Sequence, residues 1–236
     1  MTSFPEQLPH GELVEVLPDI FVVTGQIRIE VAETHEFSRN MTVVRDGNEL
    51  TLVNSIRLDD AGLEMLETLG DVRHVVKLGS YHGRDDAYYI DRYGAKLWAP
   101  EGMTYTRGEA TDRTLIDGEQ GPCFDSTAFD FQTPKAPEAA LHLNRHGGVL
   151  LTCDSFQNSL GPDEFYNEIA AESKMRLGFF KKAVIGPGWR KFAEPKASAF
   201  QRLLKLKFQH LLTGHGGPLL NEAYEAISAS VADFRE

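Results

Sequence analysis

The sequence predicts a four-layer αββα sandwich, and three observations carry that expectation. Each half of the chain runs through strands before helices. Asp46-Gly47-Asn48 is hairpin chemistry between two apolar runs, and a short apolar run near the C-terminus stops at Gly214-His215-Gly216. With 236 residues, 42% of them hydrophobic, and no linker-like stretch, one domain over 1–236 with a sizeable core is expected.

In the first half, 19–31, 41–45 and 49–53 are β-branched or alternating runs and read as strands, the last two joined by the 46–48 turn. Asp59 or Asp60 caps a helix reaching Leu69, since Leu63, Leu66 and Leu69 share a face and Gly70 follows as a stop. A strand over 72–78, a loop over 79–85, a helix over 86–93 and a strand over 96–99 come next. In the second half, 123–131, 139–143 and 149–153 read as strands with a turn at 145–148, and 163–180 and 196–207 as helices. The segment 185–192, IGPGWRKF, reads as an exposed loop between them. A short strand before His215 and a helix over about 219–235 complete the pattern.

Composition narrows the function. Lys and Arg number 24 against 35 Asp and Glu, a formal charge of −11 that repels phosphate backbones and anionic lipid, so neither nucleic acid nor membrane is an expected partner. Cys123 and Cys153 form neither a metal-type spacing nor a disulfide framework, which suits a reducing compartment. With a polar N-terminal stretch and no membrane-length apolar run, a cytoplasmic location is expected.

Three segments carry chemistry. They are VRHVVKLGSYHGRDD, a strand entering a loop with His and Asp; HGGVLLTCDSF, a Gly-Gly turn and a strand ending in Asp154; and HLLTGHGG, a strand ending in His215. A histidine between two glycines at a strand end suits a metal ligand or a proton carrier. In order and spacing these landmarks resemble the metallo-β-lactamase fold superfamily over most of the chain, and NMTVVRDGNELTLVNSIRLDDAGLEMLETLGDVRHVV resembles a divergent, poorly characterised branch of it. The resemblance implies an H-x-H-x-D-H loop, a bridging Asp and a terminal His. Asp154 and His215 match the last two, whereas the loop is eroded.

With His82 as the first histidine, Arg84 replaces the second, Asp86 keeps the aspartate place and Ala87 stands at the last; the alternative register restores no more. The first register is preferred because Asp86 then opens a helix. No histidine follows the 133–134 Thr-Pro; Lys135, Ala136 and Glu138 stand there, with His142 farther along a strand.

The resemblance therefore implies a reduced site of His82, Asp86, Asp154 and His215 holding one divalent ion (Zn, Fe or Mn) or none. Asp154 and His215 are the catalytic candidates. Arg84, Tyr81, Glu138 and His142 are placed around the pocket, with Arg84 expected against Asp86 or Asp154, Glu138 read as a solvated loop residue and His142 as an ordinary strand side chain. Lys77 is expected to point outward, and Cys153 to be a buried strand residue without nucleophilic use.

The expected function is hydrolysis of a small ester, lactone, thioester or phosphoester through a metal-acidified water. The alternative is a non-catalytic binding or scaffold protein that keeps the fold without metal. A mononuclear-iron redox protein ranks last, since a full di-iron ligand set is missing. A small molecule is the expected substrate or ligand.

Overall fold

The computed structural model describes residues 4–105 and 107–235. Seven strands form the first sheet in chain order: β1 (Val14–Leu17), β2 (Ile20–Val31), β3 (Glu33–Asp46), β4 (Glu49–Val53), β5 (Asp71–Val76), β6 (Lys96–Ala99) and β7 (Arg113–Thr114). Helix α1 (Asp60–Leu69) joins β4 to β5, and α2 (Asp86–Tyr93) joins β5 to β6. Strands β1 to β4 are antiparallel meanders, and the two helical crossovers make β4, β5 and β6 parallel. Asp59 caps α1 as its sequence suggests, its side chain accepting from the Gly62 amide at 2.8 Å.

The second sheet is built from β8 (Ser126–Asp130), β9 (Ala139–Leu143), β10 (Val149–Leu151) and β13 (His210–Leu212), in the order β13-β10-β9-β8. A small β11 (Phe156–Ser159) and β12 (Lys181–Ile185) ribbon lies alongside. Helices α3 (Glu168–Arg176), α4 (Pro187–Ala193), α5 (Ala197–Leu203) and α6 (Ala223–Ala232) complete the chain.

Strand alternation sorts the side chains into three buried layers. Val44, Val53 and Val76 meet Leu141, Leu143, Val149, Leu151 and Leu212 between the sheets. Met41, Val43, Leu50 and Leu52 face the other way, under Leu63 and Leu66 of α1 and Tyr89 of α2. Leu150 and Leu211 face outward beneath Trp189, Phe200, Leu203, Ile227 and Val231. The result is the four-layer αββα sandwich.

Several local expectations change. The β2–β3 hairpin runs unbroken to Glu33, because its full register pairs residues 33–40, polar apart from Phe37 and so without apolar alternation. The helix expected over 163–180 is shorter, since Asn167 caps it by accepting from the Ala170 amide and Gly178 at φ 79° ends it. The 185–192 segment is not an exposed loop. Pro187 opens α4, and Trp189 is buried against Phe131 and Phe200. The last helix begins only at Ala223, because Leu219 exchanges two 2.9 Å backbone bonds with Leu211.

Candidate functional site

Three chain segments deliver the site. β10 and β13 are parallel neighbours with Leu151 opposite Leu212, so the residues three beyond each, Asp154 and His215, leave the sheet side by side. β5 ends near them, and its exit loop carries His82. Asn40 of β3 clamps the β13 exit, its amide donating to the Gly214 carbonyl at 2.8 Å and its side chain to the Thr213 carbonyl at 3.0 Å.

His82 Nε2 lies 3.1 Å from His215 Nε2 and 3.6 Å from Asp154 Oδ2, and His215 Nε2 lies 3.3 Å from Asp154 Oδ1. His215 Nδ1 donates to the Ser38 carbonyl at 2.8 Å, which leaves its Nε2 lone pair facing inward. His82 Nδ1 is buried without a partner. Burial pushes the His82 imidazole down to about 3. Although burial alone would raise Asp154, the two imidazoles hold its carboxyl below the usual range, and Gln157 Nε2 donates to Oδ1 at 3.2 Å. Cys153 Sγ lies 3.8 Å from Asp154 Oδ2, and burial first, then the Asp154 and Glu138 carboxylates, push its thiol well up.

This donor set fits a metal. Tetrahedral ligands with bonds of ~2.0–2.1 Å stand ~3.3 Å apart. His82 Nε2 and His215 Nε2 stand 3.1 Å apart, close to that spacing, and each meets a different Asp154 oxygen, His215 at Oδ1 (3.3 Å) and His82 at Oδ2 (3.6 Å). One donor atom each from His82, Cys153 and Asp154 also falls within 4.8 Å of the others.

Above these groups opens a cavity of about 640 Å³. Ile27 and Ile29 of β2, Phe37 of β3, Phe179, and Trp189 and Phe192 of α4 supply its apolar walls.

No protein-family model matches the chain, and no curated protein does. Solved structures do. The DIM-1 metallo-beta-lactamase exposed to ceftazidime superposes with a TM-score of 0.64 at 15% identity, covering 96% of this chain and 99% of that one. The metallo-beta-lactamase FIM-1 from Pseudomonas aeruginosa, in its mono-zinc form, gives a TM-score of 0.56 at 15% identity over 97% of each chain. A metallo-beta-lactamase from Erythrobacter litoralis gives 0.59 at 10% identity, covering 97% of this chain and 96% of that one. This chain has the metallo-β-lactamase fold.

Within the metallo-β-lactamase fold, the structure redistributes the other residues named from the sequence. Asp86 is buried but makes no hydrogen bond or ion pair to the two histidines among the described residues. Ser55 Oγ donates to its Oδ1 at 2.6 Å. Its Oδ2 is buried without a hydrogen-bond partner, and among the described residues it forms no ion pair with Lys77; Oδ2 and the Lys77 ammonium each stand 2.7 Å from where a Gly83 Cβ would sit. Burial raises the Asp86 carboxyl, with Lys77 and Ser55 opposing.

Lys77 therefore turns inward, against expectation. Buried at 4% exposure, its ammonium donates to the His82 carbonyl. Its charge also opposes, through space, the rise of the buried Asp86 carboxyl.

Arg84 also departs from expectation. It lines the cavity, but its Nη1 donates to Asp85 Oδ1 at 2.7 Å and its Nη2 to the Glu6 carbonyl at 2.7 Å, so it pairs with neither Asp86 nor Asp154. Asp85, fully buried, is shared with Arg39, whose guanidinium reaches Oδ2.

Glu138 is not a solvated loop residue. Fully buried, it accepts from the amides of Cys153, Asp154 and Ser155 at 3.3, 3.1 and 2.6 Å, bracing the turn that carries Asp154. Burial and the Asp154 carboxylate push it up to about 8. His142 does not line the cavity. It faces away from Leu141 and Leu143 and donates to the Lys207 carbonyl at 2.7 Å, as strand alternation requires. Tyr81, 57% exposed, lines the cavity.

Sequence reading missed Arg39, Gln157 and Lys174, which line the cavity. No motif marks them. Cys153 carried one usable signal, its place beside Asp154.

Proposed function

We propose that this chain is a metallo-β-lactamase-fold hydrolase with a reduced site, taking one divalent ion on His82, Asp154 and His215. Its substrates would be small esters, lactones, thioesters or phosphoesters. The convergence of two imidazole Nε2 atoms 3.1 Å apart on the two oxygens of one carboxylate carries the reading. The Nδ1–H of His215, held on the Ser38 carbonyl, points its other nitrogen at the centre and supports it.

A divalent ion in such a site supplies Lewis acidity and lowers the pKa of water. The chain's own groups do the rest. Asp154, ionised, orients the attacking water and takes its proton on a carboxylate oxygen. His82, neutral at physiological pH, keeps a lone pair available for ligation. Apolar walls around the centre exclude bulk water, which strengthens every charge interaction inside. Asp86, bonded by Ser55 on Oδ1 and without a hydrogen bond or ion pair to the two histidines among the described residues, is left out of the ligand set, and the reading assigns one ion.

Calorimetric titration of zinc and manganese into wild type and the His82→Ala, Asp154→Ala and His215→Ala variants tests this, alongside assays on chromogenic ester, thioester, lactone and phosphoester substrates. About one equivalent should bind to wild type, with affinity falling at least ~10²-fold in each variant and turnover falling with it. No binding to wild type would favour the non-catalytic alternative.

A further inference from the structure

Among the cations lining the cavity, Lys174 stands apart. Arg39 and Arg84 both bond to Asp85, whereas the Lys174 ammonium of α3 makes no hydrogen bond or ion pair among the described residues and meets the Asp154 charge only through space. Its ammonium sits between two rings, 4.1 Å from the Phe37 centroid and 4.0 Å from the Phe179 centroid. Ring faces offset part of the cost of enclosing a cation, yet they accept none of its three N–H donors in a conventional hydrogen bond. The Phe37 ring in turn lies 5.8 Å from that of His215, so a single aromatic side chain separates the ammonium from the candidate centre.

The remaining walls are apolar. Ile29 and Phe192, 41% and 56% exposed, put apolar surface at the cavity rim. A chain with a net charge of −11 thus presents, inside an oily cavity, one cation without an acceptor.

We propose that the cavity binds an amphipathic monocarboxylate, its charged end on Lys174 and its apolar body against Ile27, Ile29, Trp189 and Phe192. This deepens the hydrolase reading by naming its substrate class and rests on that reading only for turnover. A single charge is specified because only one cation is uncommitted, and a dianionic phosphate would carry an unmatched charge into an apolar space. Burial holds the Lys174 amine down to about 8, consistent with an enclosed side chain and not a solvated one.

Calorimetric titration of octanoate, octan-1-ol and acetate into wild-type protein, both as purified and after chelation, tests the proposal. Lys174→Met and Lys174→Arg complete the set. Octanoate should bind wild type about ten- to a hundredfold more tightly than octan-1-ol. Acetate should bind far more weakly than octanoate, for want of the apolar body. Lys174→Met should lose most of the preference for octanoate over octan-1-ol while still binding the alcohol, and Lys174→Arg should retain the preference. Three results would each overturn the proposal: no octanoate binding to wild type, equal affinity for octanoate and octan-1-ol, or an octanoate affinity unchanged by Lys174→Met. The last would place the carboxylate elsewhere, for instance on a metal. Binding is read without turnover, so failure of the hydrolase reading leaves the result interpretable.

Discussion

Lys174 has a thermodynamic signature separate from any ligand. Burial lowers its amine to about 8 from an ordinary 10.5, with Asp154 opposing. A depressed lysine pKa means that the native state gives up a proton more readily than the unfolded chain. Its favourable contribution is present above about pH 10.5 and is lost as pH falls through about 8. At pH 7 the side chain is therefore a liability. Lys174→Met should stabilise the protein at pH 7 by roughly 1–2 kcal/mol, discounted for partial exposure, with the gain shrinking between pH 8 and 10.5. Urea unfolding of both proteins across that range checks it. A destabilised Lys174→Met at pH 7 would mean that the ring contacts outweigh desolvation. Keeping a destabilising cation in a cavity is what a binding role would require.

At the scale of elements, the segment leaving β13 shows how three glycines within four residues do different work. A Cβ at Gly214 would stand 3.0 Å from His82 Cε1 and 3.1 Å from the Cys153 carbonyl, so this glycine lets the two histidines approach. Gly216 has φ 87°, and a Cβ there would meet the Asn158 carbonyl oxygen at 2.1 Å. Gly217 has open space around it. Gly216→Ala should cost on the order of 1–3 kcal/mol and weaken metal binding by shifting His215. Gly217→Ala should leave both within error, and Gly214→Ala should reduce metal affinity more than stability. Chemical unfolding with zinc titration of the three variants separates these outcomes; equal effects at Gly216 and Gly217 would refute the account.

For the whole molecule, the candidate ligands sit on loops that follow β5, β10 and β13, so only the assembled sandwich holds them together. An ion bound by the native state alone adds its binding free energy to folding. At a hundredfold excess over the dissociation constant the gain is ~2.7 kcal/mol, or about 5–10 °C in Tm for a chain of this size. Thermal scans of chelated protein with and without zinc should show that rise in wild type and none in His215→Ala. A similar rise in both would place the ion elsewhere, for example at the surface.

The sequence by itself determined the layer order, because alternation on β4, β9 and β10 and the helical faces of α1 and α2 are local patterns that burial must satisfy. It also pointed to His82, Asp154 and His215 through strand-end spacing and a family resemblance. The partners of the charged groups were decided only by tertiary structure. Whether Arg84 meets Asp85 or Asp86, whether Lys77 turns in or out, and whether Glu138 is solvated or buried all depend on residues distant in the chain. Lys174 reached the cavity with no sequence mark at all, carried there by the packing of α3 on β3. Hydrophobic periodicity is written into neighbouring residues. The cost of burying a charge is settled only by what stands beside it in space.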